Sequence, residues 1–155
     1  MSPLVGSGVW FGSGSGSGGK GVFSLGNLTT TTNIYTYSSN GVATGTNLTA
    51  DLYTGAAAGN STLGIFAIGD TGSSATPTTN IYTYSSNGVA TGTNLTANVS
   101  AGAAAGNSTL GIFAIGNLTT TTNIYTYSSN EVATGTNLTS DPDAGAATST
   151  YPGGF

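Results

Sequence analysis

Leu63 to Ile68 is apolar at consecutive positions and is bounded by turn residues. Unbroken apolarity over that length predicts a β-strand covered on both faces, because a strand with one wet face would alternate. Leu110 to Ile115 repeats the pattern, and Gly21-Val22-Phe23-Ser24-Leu25-Gly26 is a worn copy of it. Ile34-Tyr35-Thr36-Tyr37 alternates instead, placing the two tyrosines on one face of a second strand with Ile34 and Thr36 on the other. Asn40-Gly41 and Asn87-Gly88 then predict type I′ hairpin turns, with Val42 to Gly45 as the returning strand. In the third copy the pair is Asn130-Glu131. A left-handed Glu there would cost roughly 1–2 kcal/mol, so that turn either differs in type or is strained. Ala56-Ala57-Ala58, flanked by Gly55 and Gly59, is too short and too glycine-bound for a helix and reads as a small-residue strand. Gly59-Asn60-Ser61-Thr62 turns it into the apolar strand. The expectation is an all-β chain with no helix, built from tandem four-stranded antiparallel units.

The pattern recurs almost word for word. Asn-Ile-Tyr-Thr-Tyr-Ser-Ser-Asn begins at Asn33, Asn80 and Asn123, and Ala56 to Gly69 returns as Ala103 to Gly116. Units of this size cannot bury their own apolar faces and must stack on one another. Three units are expected over residues 21–147, preceded by a Gly/Ser-rich arm at 1–20 and followed by a tail at 148–155.

Charged residues make up 4 % of the 155 positions, against about 25 % in an ordinary soluble domain. Charge therefore does little to keep copies of this chain apart. Lys20 is the only cation, which leaves no basic patch for nucleic acid. The chain has no Cys and no His, so thiolate metal sites and the usual general bases and activated nucleophiles are missing; no enzyme and no cofactor are expected. Met1 to Gly6 carries neither the cationic start nor the apolar run of a secretory signal, although a leader already removed would leave the same reading. No stretch approaches the length of a membrane span, so membrane insertion is not expected.

The order of a small-residue strand, a turn, an apolar strand ending in Gly, a Tyr-bearing strand and a hairpin return resembles a kelch-type β-propeller blade. Gly-Thr-Asn-Leu-Thr followed by Ala-Ala-Ala-Gly-Asn-Ser-Thr-Leu-Gly-Ile-Phe is similar to kelch-like arrays in proteins of bacteriophages and aquatic bacteria. Gly26, Gly69 and Gly116 are followed by Asn27, Asp70 and Asn117 where kelch units carry a second Gly, and Val42, Val89 and Val132 stand near the usual Trp. The resemblance implies a kelch-like β-propeller. Closed propellers have about 4–8 blades, so three units imply completion by oligomerisation, a partial blade from the chain ends, or an open stack. Trp10-Phe11-Gly12 and Tyr151 to Phe155 are the candidate closing strands.

Few residues suggest chemistry. Gly14 to Lys20 fits the opening of a phosphate-binding loop, but Gly21 replaces the hydroxyl that would hold magnesium, and a low-complexity linker describes it better. Asp141 and Asp143 flank Pro142 and read as a solvated turn rather than a calcium site or a glycosidase pair. Eight Asn-x-Ser/Thr sequons, at Asn27, Asn47, Asn60, Asn94, Asn98, Asn107, Asn117 and Asn137, read as turn chemistry rather than glycosylation sites. Tyr35/Tyr37, Tyr82/Tyr84 and Tyr125/Tyr127 suit either of two roles, an aromatic shelf for sugar rings or packing between adjacent units. The expected function is a structural virion component, a phage tail, fibre or capsid-surface protein located on the virion, whose partners are its own copies and other virion proteins. The alternatives are a glycan-binding adhesin and a secreted cell-surface filament subunit.

Overall fold

The computed structural model describes residues 19–116, 118–142 and 145–149. The arm through residue 18, with Trp10 to Gly12, the Tyr151 to Phe155 tail, Asn117 and Asp143 lie outside the described residues, so of the Gly14 to Lys20 stretch only the last two residues are described. Eleven strands and no helix form among them: β1 (Lys20–Ser24), β2 (Thr32–Thr36), β3 (Gly41–Thr44), β4 (Thr54–Gly59), β5 (Leu63–Asp70), β6 (Ala75–Thr83), β7 (Gly88–Thr91), β8 (Ala103–Gly106), β9 (Leu110–Ala114), β10 (Thr122–Thr126) and β11 (Glu131–Thr134). They build three antiparallel meanders, ordered β1-β2-β3, β4-β5-β6-β7 and β8-β9-β10-β11. The second and third sheets have the strand order read from the sequence, including Ala56 to Ala58 as the small-residue strand and Leu63 to Ile68 within an interior strand. The described first sheet has three strands, and the sheets form an open array rather than a closed ring.

Pairing fixes which residues share a face. Tyr82 stands opposite Gly64 and Ile81 opposite Ile65, so each sheet has a tyrosine face and an isoleucine face. The isoleucine face of the first sheet, with Val22 and Ile34, packs with Leu48 and Leu52 against Ala57, Phe66, Ile68, Tyr82 and Tyr84 on the tyrosine face of the second. The isoleucine face of the second, with Ala56, Ala58, Ile65 and Ala67, packs with Leu95 and Val99 against Phe113, Ile115, Tyr125 and Tyr127 of the third. The alanine strand is what lets β4 approach β8 and β9 closely, and Asn60 Nδ2 donates to Ser108 O across the gap at 3.0 Å. Apolar burial on both faces of β5 is thus the consequence of its unbroken apolar run.

One detail differs from the sequence expectation. The hairpins after β2, β6 and β10 are not two-residue type I′ turns. Thr36 pairs with Gly41, Thr83 with Gly88 and Thr126 with Glu131, leaving four-residue loops in which only the asparagine is left-handed, with φ of 52° at Asn40, 53° at Asn87 and 55° at Asn130. The following residue begins the return strand with ordinary φ, so Glu131 carries no backbone strain, and Ser129 Oγ donates to its carboxylate at 2.9 Å. The unequal repeat spacing has a single source in the structure. Unit two holds four more residues between Gly69 and Asn80 than its neighbours hold at that place, and these lengthen the β5–β6 hairpin around Thr71 to Ser74.

The glycine that ends the apolar strand has a backbone reason. Gly69 and Gly116 have φ of 69° and 67°, and a Cβ on Gly69 would lie 1.9 Å from Thr54 O. Gly69→Ala is expected to cost about 2 kcal/mol or more in denaturant unfolding. Gly88→Glu, which reproduces the third unit, is expected to stay within about 0.5 kcal/mol of the parent.

Candidate functional site at the joints between sheets

The polar residues that repeat in every unit converge on the seams between sheets. After each return strand the chain runs Gly-Thr-Asn-Leu-Thr back along its own unit, tied by Gly45 N to Thr32 O at 2.9 Å and Leu48 N to Thr30 O at 2.8 Å in the first unit. Thr32 Oγ1 also donates to Thr46 O at 2.9 Å. The same three bonds recur at Gly92, Leu95 and Thr79, and at Gly135, Leu138 and Thr122. Held this way, the segment presents its leucine and two threonines to the next sheet.

The next sheet answers with two asparagines. Asn80 is fully buried on β6. Its Oδ1 accepts from Thr49 N at 2.7 Å and Thr49 Oγ1 at 3.1 Å, while its Nδ2 donates to Thr49 Oγ1 at 2.8 Å and Thr79 O at 2.9 Å. Every hydrogen-bonding position of that amide is filled. Asn123 and Thr96 repeat the arrangement at 2.7, 3.1 and 2.8 Å, with Thr122 O at 2.9 Å. The left-handed loop asparagines make a second clasp. Asn87 Oδ1 accepts from Tyr82 Oη and from Thr46 N at 3.2 Å, and Thr46 Oγ1 donates to Asn87 O at 2.5 Å. Asn130 does the same for Tyr125 and Thr93, at 2.9 Å to the Thr93 amide. Gly45 and Gly92 pass beneath the Tyr82 and Tyr125 hydroxyls, where a Cβ would lie 2.6 and 2.5 Å from oxygen.

The tyrosines divide by position. Tyr82, Tyr125 and Tyr127 are buried between sheets and Tyr84 is partly so. Tyr35 and Tyr37 lie on the first sheet's uncovered tyrosine face, their rings edge to face at 5.3 Å. Burial pushes the Tyr84 phenol, and likewise that of Tyr127, well above the usual phenol range, with Tyr37 and Tyr82 adding to it at Tyr84 and Tyr84 adding to it at Tyr127. Both hydroxyls are buried without a hydrogen-bond partner. Asp141 has a buried, unpartnered Oδ1, and the described residues hold no group of three or more potential metal ligands. Among the sequons, Asn60 and Asn107 close turns, their Oδ1 atoms accepting from Thr62 N and Thr109 N at 2.8 Å. No helix among the described residues is long and apolar enough to cross a membrane.

The two asparagines that form the seams, Asn80 and Asn123, are not among the sequon asparagines that stand out in the sequence. A signal was present: Asn33, Asn80 and Asn123 sit two residues before a tyrosine on the same strand face, where an alternating pattern calls for an apolar side chain. No family model matches the chain, and no curated protein matches it, so the kelch resemblance rests on the residues quoted above.

Removing an amide that fills a seam costs several hydrogen bonds, each worth about 1 kcal/mol. Asn80→Ala and Asn123→Ala are expected to lose about 2–4 kcal/mol in denaturant unfolding, whereas Asn33→Ala, which has no preceding described sheet, loses less than about 1. The raised phenols give a pH dependence. The folded state holds the Tyr84 and Tyr127 protons more tightly than the unfolded chain, whose phenols titrate at about 10, so stability is full below that pH and falls as pH rises past it. Tyr84→Phe is expected to cost little at neutral pH, since the hydroxyl has no partner, and to flatten the alkaline fall in a melting series.

Proposed function

We propose that this chain is a non-enzymatic structural protein of a virion, a phage tail, fibre or capsid-surface component, that works by self-association of its repeated β-sheets as kelch-like blades. The observation that carries the reading is the pair of seams. The unit's repeated residues are spent on joining one sheet to the next, through apolar faces and buried asparagines, with a chain almost devoid of charge. Side chains suited to chemistry are scarce in the whole sequence, which has no His and no Cys. On this reading the partners are further copies of the chain and neighbouring virion proteins, and completion of a propeller ring is one form that the assembly takes.

A second reading, a glycan-binding adhesin, is favoured by one observation: Tyr35 and Tyr37 form an edge-to-face pair on a face that no described sheet covers. Aromatic rings presented in this way suit the apolar faces of sugars. A secreted cell-surface filament subunit shares the assembly mechanism and differs only in where it is displayed.

Antibody against the chain, applied to density-purified particles from the source culture, is expected to label regular positions on virions in electron micrographs. Label confined to cell surfaces or to soluble fractions would overturn the virion assignment. Glycan-array binding lost in Tyr35→Ala and Tyr37→Ala, with assembly intact, would favour the adhesin instead.

A further inference from the structure

We infer that copies of this chain join head to tail, the isoleucine face of the third sheet of one copy receiving the tyrosine face of the first sheet of the next. The inference rests on the self-association reading above and names the surfaces that carry it.

The two end faces are the two halves of one seam. At the internal seams, Ile65 and Leu95 are 0 % and 4 % exposed on the giving side; their counterparts on the third sheet, Ile112 and Leu138, are 37 % and 43 % exposed. On the receiving side Ile68 and Ile115 are 0 % and 1 % exposed, while their counterpart Leu25 on the first sheet is 46 % exposed. Val42 is 65 % exposed where Val89 and Val132 pack into the seams. The third sheet thus leaves open the side chains that the first sheet's open face would cover.

The polar clasps are split in the same way. Thr136, Leu138 and Thr139 are held in the geometry of Thr46, Leu48 and Thr49 by Gly135 N to Thr122 O and Leu138 N to Thr120 O, at 2.9 and 2.8 Å. Among the described residues they meet no following asparagine. Asn33 and Asn40 repeat Asn80 and Asn87, Asn40 already left-handed and bonded to Tyr35 Oη, with no preceding threonines to clasp. Gly135 even leaves the space that a tyrosine hydroxyl occupies over Gly45 and Gly92. A second copy supplies each missing half with sequence already proven inside the chain. Such a joint uses different patches on its two sides, so it propagates as a ring or a filament according to the rotation per step.

Sedimentation velocity on the full chain tests this with two variants and their mixture. Ile112→Lys blocks only the third-sheet face and Leu25→Lys only the first-sheet face. The wild type is expected to form assemblies that grow with concentration. Each variant alone is expected to stay monomeric to concentrations about 30-fold or more above the wild-type midpoint. An equimolar mixture is expected to form a heterodimer and nothing larger, since one intact joint remains between the two variants. Circular dichroism and melting check that each variant folds; Val42→Lys replaces Leu25→Lys, and Leu138→Lys replaces Ile112→Lys, if either does not. Variants that assemble like the wild type, or folded variants that give no heterodimer, overturn the head-to-tail joint while leaving self-association through another surface, such as the strand edges. A wild type that is monomeric throughout overturns both.

Discussion

Each sheet in this protein is apolar on both faces, and that constraint governs the rest. An ordinary antiparallel sheet turns one face to water, but here β5 is buried on either side, with Ile65 and Ala67 facing the third sheet and Phe66 and Ile68 the first. A sheet of this kind hides its apolar faces only by stacking against its neighbours. Stacking is therefore not an embellishment of the fold but the condition for it. The alanines of β4 and β8 allow close approach, and Gly69 and Gly116, at the ends of the apolar runs, lie so near a backbone oxygen that no side chain fits.

Apolar burial alone would let one sheet slide over the next. The asparagine seams remove that freedom, because Asn80 and Asn123 are satisfied only when Thr49 and Thr96 stand opposite them. A displaced sheet would leave a buried amide unpaired, which costs more than the hydrogen bonds contribute in place. The same residues that give register also give the array direction, with threonines on the leaving side and asparagines on the arriving side. In a chain with a single cation, recognition between units falls to hydrogen bonds and shape rather than to charge.

Much of the fold was legible in the sequence. The unbroken run Leu63 to Ile68, the alternation around Tyr35 and the glycine-bound Ala56 to Ala58 correspond to strands in the expected order, because local pattern and final burial agree at those positions. The hairpins depart from the sequence expectation for a physical reason. Asn-Gly signals a two-residue turn, but the Ser-Ser before it supplies a longer loop that needs only one left-handed residue, and Asn130-Glu131 was the clue that the glycine is not required. The seams were harder to see. Their partners lie 27 and 31 residues apart in the chain, and an asparagine in a threonine-rich strand looks like surface until the neighbouring sheet covers it. Which tyrosines stay in contact with solvent likewise depended on the stacking order, not on local sequence.

Directional seams, with the Thr49 and Thr96 amides as donors, hold neighbouring sheets together. Residue-resolved amide hydrogen exchange on dilute, monomeric protein tests it most directly. The Thr49 and Thr96 amides are predicted to be protected as strongly as those of β5, and the Thr139 amide, at the same place in the last unit, to exchange as fast as a loop. Equal exchange at all three, fast or slow, would contradict it.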